Sequence, residues 1–264
     1  MQDLFDQKKN VILKEILSSG SDNPDASPKG TIDQFCIPII DLINSKKDFV
    51  TTSSCSGRLS VFLEGIKIGD KIGAKGNQGR WIFVSHDPKE ITNWYDSIDF
   101  EYSGEKQLHM LVNSSSRYIL YKFEPLILHI KCRDFESANK LYQCAMGCGF
   151  RESGIGSNNV VAIRISIRLD IPIGYQDNDG RLSLFVNKEY LKFITQLSAD
   201  RFRENFKKMD QLYQAIEKLD TVSDTSRSSE SKAERRERKI IEGLARKEEL
   251  RQLKERAKEQ EARQ

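Results

Sequence analysis

The sequence predicts an α+β fold with mixed sheets, and three observations carry that prediction. Helical and strand periodicities interleave along roughly the first 220 residues, without the strand, glycine loop and helix order of a dinucleotide-binding core. The glycine-rich stretch Gly69–Arg80, G-D-K-I-G-A-K-G-N-Q-G-R, leads into a strand at Trp81 instead of opening a helix. Charge, 31% of the 264 residues, is densest beyond Asp220, where a charged helical tail follows a polar linker.

The elements follow in order. Phe5–Leu17 places Phe5, Val11, Ile12, Ile16 and Leu17 at helical spacing and is read as a helix. Ser18–Gly30 is rich in Ser, Asp, Pro and Gly and is read as a loop. Thr31-Ile32-Asp33 opens a second helix with Thr31 as N-cap. Its apolar face carries Phe35, Ile39, Leu42 and Ile43, with Pro38 in the first turns or at a bend. Phe49–Ser53 and Leu59–Ile66 are neighbouring strands, joined by a stretch of hydroxyls, a thiol, a glycine and an arginine. Trp81–Ser85 is a strand ending at His86. Asp87-Pro88 starts a helix to about Ile98, with proline favoured in the first turn. Tyr118–Lys131 is a long strand in which Pro125 marks a bulge or an edge.

Phe135–Met146 is a helix stopped by Gly147 and Gly149, and Phe150–Asn159 is a small-residue loop. Val160–Ile171 and Leu182–Val186 are strands, and Asn187–Leu219 is helical. Ser54–Arg58 and Ser153–Ser157 occupy corresponding places in the two halves, which suggests an internal duplication. The expected domains are 1–220 and a tail, 221–264. Within the tail, Ala233–Gln264 is a solvated helix with a thin stripe of Ile240, Ile241, Leu244, Leu250 and Leu253. The tail reads as a mobile charged segment, with an RNA-contacting arm as the alternative.

Composition narrows the function. A net charge of +3 permits an RNA partner without demanding one. No apolar run approaches the length of a membrane span, and the N-terminal M-Q-D-L-F-D-Q-K-K-N has no leader-like apolar core. Five scattered cysteines, an odd number, read as free thiols in a reducing, cytoplasmic setting.

Several chemistries compete. Cys55 is a candidate nucleophile if Arg58, His86 or His129 stands beside it. The opposing reading is a packed thiol. Cys144-x-x-x-Cys148 begins like a cluster-binding triplet, but Arg151 stands where the third cysteine belongs. His129-x-x-Cys132 lacks paired ligands, so no metal set is read from the sequence. The loop Gly69–Arg80 lacks the G-K-[ST] ending of a phosphate loop. Its Lys71, Lys75 and Arg80 would suit a phosphate backbone, or the stretch is a plain exposed hairpin loop. Glu124 and His129, five apart on one strand, are expected on opposite faces.

Five segments in order resemble one family. They are S-S-C-S-G-R (Ser53–Arg58), K-G-N-Q-G-R-W followed by His86, K-F-E-P-L-I-L-H (Lys122–His129), F-R-E-S-G-I (Phe150–Ile155) and V-A-I-R-I-S (Val161–Ser166). Together they resemble the wybutosine-synthesising protein 3 family over Phe5–Leu219. The resemblance implies a non-Rossmann α+β methyltransferase. It would use S-adenosyl-L-methionine to methylate N-4 of the tricyclic wybutosine precursor, 3′ of the anticodon in phenylalanine tRNA. The alternative is a non-catalytic tRNA-binding factor that presents the base. Family loops carry adjacent glycines before the tryptophan, whereas here Asn77 and Gln78 separate Gly76 from Gly79.

On this reading positioning supplies most of the catalysis, and one group accepts a proton. Arg58 and His86 are the candidate catalytic residues. Ser53, Ser54, Ser56, Gly57, Ser153, Gly154 and Arg164 are the candidate cofactor contacts. Lys75, Arg80, Trp81, Glu124 and His129 are the candidate substrate contacts.

Overall fold

A computed structural model of the chain describes residues 3–18, 32–66, 78–102, 116–177 and 179–220. The chain divides into two units, Met1–Leu219 and Asp220–Gln264. Several expectations lie outside the described residues: the linker and tail from 221, most of the loop Ser18–Gly30, Thr31, and the glycine-loop residues Lys71 and Lys75.

The scaffold is one mixed sheet. Its strands are β1 (Phe49–Leu63), β2 (Arg80–Ser85), β3 (Phe100–Tyr102), β4 (Arg117–Cys132), β5 (Gly154–Ile155), β6 (Val160–Arg164), β7 (Leu169–Gln176) and β8 (Leu182–Leu184). Their order is β2-β1-β4-β7-β8-β3, with β6 also on β4 and β5 beyond it. Every pairing is antiparallel except that of β3 with β8. The helices are α1 (Leu4–Ser18), α2 (Ile37–Ser45), α3 (Phe135–Gly147) and α4 (Lys188–Glu217). Among the described residues no helix is long and apolar enough to cross a membrane.

Four expectations change. First, the stretch between Ser53 and Leu59 is not a connection. It lies inside the 15-residue strand β1, paired with β4 from Phe49↔Cys132 to Leu63↔Ile119. Its small residues make the pairing irregular without ending the strand. The register shifts between Thr51 and Ser53, and Gly57 takes φ +110°, a conformation that L side chains rarely adopt. Second, the predicted strand Val160–Ile171 is two strands, β6 and β7, that share one edge of β4. Third, Pro125 marks neither an edge nor a shift of register with β1. It sits where β4 exchanges β7, paired through Phe123, for β6, paired from Ile127, so its missing N–H falls in the gap. Fourth, the helix predicted from Asp87 is a run of turns and a short 3-10 segment, Trp94–Ser97. Asn93 is left-handed there (φ 56°), which an α-helix excludes, and Ile91, Trp94 and Tyr95 all enter the core.

Helix ends follow local chemistry. Asp33 caps the turn Gln34–Cys36 that precedes α2, and its carboxylate accepts from Phe35 N. Pro38 sits in the first turn of α2. Asp134 caps α3 by accepting from Ser137 N, and Asn187 caps α4 through Tyr190 N. Gly149 (φ +91°) and the bond from Phe150 N to Ala145 O close α3.

Two cores result. Leu126, Leu128 and Ile130 pack with α2, α3 and β6, whereas Ile119, Tyr121 and Phe123 pack with Leu59, Val61, Trp94 and Ile173. On β4, burial falls on odd positions up to Phe123 and on even positions from Leu126. Helix α4 covers both cores, with Leu191, Ile194 and Phe202 in one, Met209, Leu212 and Ile216 in the other, and Phe206 against both. Asn205 secures the slip. Its Oδ1 accepts from Leu126 N (2.7 Å) and its Nδ2 donates to Ser56 O (2.6 Å), fully buried.

The duplication suggested by the two Ser-Gly segments does not extend to local structure. One lies within a long strand and the other spans the two-residue β5 and a 3-10 turn.

Candidate active site

The slip at Pro125 decides the site. Glu124 and His129 both fall on the less buried side of β4, against the expectation of opposite faces. Register sets Arg58 opposite Glu124 and Ser53 opposite His129. The S-S-C-S-G-R segment therefore bridges two clusters about 16 Å apart, five strand residues at about 3.3 Å each.

The first cluster surrounds Arg58. Its Nε donates to Glu124 Oε2 at 2.7 Å, and its guanidinium lies 5.0 Å from the centroid of the Trp81 ring. Trp81 is 41% exposed and meets Phe62 edge-on at 4.8 Å, so its indole is held between Phe62 and the Arg58 guanidinium with part of the ring at the surface. Arg80, next to it, is exposed. Leu59 pairs with Ser85, so His86 follows β2 at the level of Arg58.

The second cluster surrounds His129. Its Nε2 lies 3.2 Å from Arg164 Nη2, and the backbone N of Arg164 donates to Ser153 Oγ at 3.1 Å. Gly154 pairs with Ala162, which also pairs with His129. Burial, and then the charge of Arg164, hold the imidazole below its ordinary pKa, so it is a neutral group near pH 7. Arg164 and Ser53 are exposed.

Between the clusters the chain turns inward. Ser56 is fully buried, and both its N (2.9 Å) and its Oγ (2.5 Å) donate to Asp33 Oδ2. Its carbonyl is taken by Asn205. Ser56 and Gly57 thus shape the strand, and neither presents a polar atom to a ligand. Ser54 is half-buried and bonds the Cys36 thiol. Burial pushes the Cys55 thiol up, more than Arg58 lowers it, so Cys55 is no ready nucleophile. One carboxylate oxygen of Asp33, the Cys55 sulfur and one ring nitrogen of His86 all lie within 4.8 Å of one another. Lys75 lies outside the described residues.

Asp33 and Asn205 carry no signal of a motif. Asp33 reads as a helix opener, and its link to Ser56, 23 residues away, is tertiary. Asn205 does leave a trace, a polar residue in the apolar stripe Phe202, Phe206, Met209, Leu212 of a helix.

Comparison with known proteins adds a family. The pattern of the family described as Methyltransferase TYW3 matches residues 7–218. The chain is 52% identical to tRNA wybutosine-synthesizing protein 3 of Saccharomyces cerevisiae, over 94% of this chain and 96% of that protein. It is 34% identical to the tRNA(Phe) 7-((3-amino-3-carboxypropyl)-4-demethylwyosine(37)-N(4))-methyltransferase of Thermococcus sibiricus, over 82% of this chain and 99% of that one. A solved structure of the PH1069 protein from Pyrococcus horikoshii OT3 superposes with a TM-score of 0.59 at 27% identity, covering 83% of this chain and 96% of that chain.

Proposed function

The chain belongs to the TYW3 methyltransferase family, and from that premise we propose that it transfers a methyl group from S-adenosyl-L-methionine to N-4 of the tricyclic wybutosine precursor beside the anticodon of phenylalanine tRNA. The observation that carries this reading is the family match over residues 7–218, which spans both clusters and every strand that builds them.

The residues fit the cofactor. The exposed guanidinium of Arg164 suits its carboxylate, and Ser53 and Ser153 offer hydroxyls beside it. A Cβ at Gly154 would meet nothing within 4 Å, so there is room for a ligand against that backbone. Bound S-adenosylmethionine supplies an electrophilic methyl group on a sulfonium sulfur. The protein then has to align donor and acceptor, exclude water and remove one proton. Trp81 offers a stacking face to the tricyclic base. Arg58 and Arg80 offer charge to the tRNA backbone. Glu124 fixes the plane of the Arg58 guanidinium. The proton at N-4 is taken up at the level of Arg58, where the half-buried His86 stands. Soluble cytoplasmic action is the corresponding cellular expectation.

Incubation of the protein with S-adenosylmethionine and phenylalanine tRNA carrying the unmethylated precursor tests the reading. A gain of one methyl group on the nucleoside, by mass, is the expected result. Binding of tRNA without methyl transfer under any condition overturns it in favour of the presenting factor. Calorimetry with the cofactor tests the division of the site. Arg164→Ala should weaken cofactor binding while Arg58→Ala leaves it near wild type, and the reverse would exchange the two clusters.

A further inference from the structure

Asp33, Cys55 and His86 come from three separate segments: the turn before α2, the middle of β1 and the end of β2. Their donor atoms converge within 4.8 Å, and among the described residues this is the one group of three or more such side chains that does so. We propose that Asp33, Cys55 and His86 form a three-ligand site for a zinc ion.

Distance comes first. Ligand bonds of about 2.0–2.3 Å in tetrahedral geometry put donor atoms about 3.3–3.8 Å apart. The present spread closes to that by rotation of side chains, two of which, Cys55 and His86, are only half-buried. Donor chemistry comes next. A thiolate with an imidazole and a carboxylate suits zinc, whereas magnesium and calcium prefer oxygen alone. Charge is the third argument, because the two anionic ligands neutralise the ion.

The outer shell is already built. Asp33 Oδ2 takes both the N–H and the hydroxyl of Ser56, and its Oδ1 takes Phe35 N at 3.2 Å. These bonds fix the carboxylate while leaving Oδ1 capacity to bind, as the supporting groups of metal sites do. Three protein ligands leave the fourth position of the ion open to water or a substrate atom. The proposal stands on these ligands alone and does not depend on methyl transfer.

The test uses the full chain, stripped with a chelator and titrated with Co2+ as a spectroscopic stand-in for zinc. The expected result is saturation at one ion per chain. A near-ultraviolet sulfur-to-cobalt band should appear and be bleached by stoichiometric Zn2+. Cys55→Ser should abolish the band and His86→Gln should weaken binding about tenfold or more. The double variant Cys144→Ser/Cys148→Ser should leave both unchanged. Absence of saturable binding, or a band that persists in Cys55→Ser, overturns the proposal. So does a band lost with the Cys144/Cys148 pair. X-ray absorption of the zinc-loaded wild type gives a check independent of any variant. One sulfur with nitrogen and oxygen neighbours supports the site, and no sulfur or several sulfurs rejects it.

Discussion

Removing Asn205 probes the joint on which the site depends. Its amide holds Leu126 N and Ser56 O, fully buried, where β4 changes partners and β1 passes through Gly57. Asn205→Ala leaves one N–H and one C=O without partners inside the protein. Each orphaned group costs about 1–3 kcal/mol, so the variant should lose about 2–6 kcal/mol. That is a large share of a typical total of about 5–15 kcal/mol. Urea unfolding followed by far-ultraviolet circular dichroism measures it as a lowered midpoint at constant slope. A loss below about 1 kcal/mol refutes the argument, because it would mean that the slip holds itself. Gly57→Ala supplies the second side of the cycle. Its new Cβ would lie 3.1 Å from Asn205 Nδ2 and 3.1 Å from Glu124 O, at φ +110°. In the double variant the first contact vanishes while the backbone strain remains. The two losses should therefore fall short of additivity by about 0.5–1 kcal/mol.

Arg133 binds Asp3, Asp6 (2.5 Å) and Asp48 (2.6 Å) and lies over the Phe5 ring at 4.6 Å, tying α1 to the start of β1. Arg133→Ala should speed hydrogen exchange throughout α1 and cost about 1–3 kcal/mol at low salt, less at high salt; protection unchanged in α1 would reject that role. His129, depressed by burial and by Arg164, binds its proton less readily folded than unfolded. The sign follows: its contribution is intact above about pH 6.5, the ordinary value, and is lost as pH falls through the lower folded value. His129→Gln should flatten the stability profile below about pH 6.5, and an unchanged profile argues against it. Trp81→Ala should weaken tRNA binding by about 1–3 kcal/mol, measured by filter binding at fixed salt, while Trp81→Phe retains most of it. Equal loss in both variants would remove stacking as the reason.

The helix expected from Asp87 was not borne out, because Asn93 turns left-handed there. Helices α1, α3 and α4 were legible because their signals are local. Phe5 in α1, the stripe of α4 and the two glycines after α3 each lie within a few turns of sequence. The site was half legible for the same reason. Arg58, Glu124, His129 and Arg164 are polar residues in β-rich runs, and the sheet brings them together in the pairs Arg58–Glu124 and His129–Arg164. What the sequence hid was parity. A strand's two faces are assigned by counting in twos, and that count fails at Pro125. There the buried positions pass from odd to even without a shift in the β1 register. The change rests on a glycine in one strand, a proline in the next and an asparagine 80 residues further along on a helix that covers both cores. None of the three alone predicts it. Asp33 was hidden likewise, since a carboxylate before a helix has a sufficient local reason to be there. Its second bond partner, Ser56, appears only when β1 is known to run unbroken past that helix. The same strand continuity explains why serines that look like a ligand-binding turn divide by depth. Ser53 remains at the surface near His129, Ser54 is half-buried, and Ser56 is spent on Asp33. A site read from composition alone therefore overcounts its contacts, because the pleat and twist of one strand send adjacent side chains to different environments.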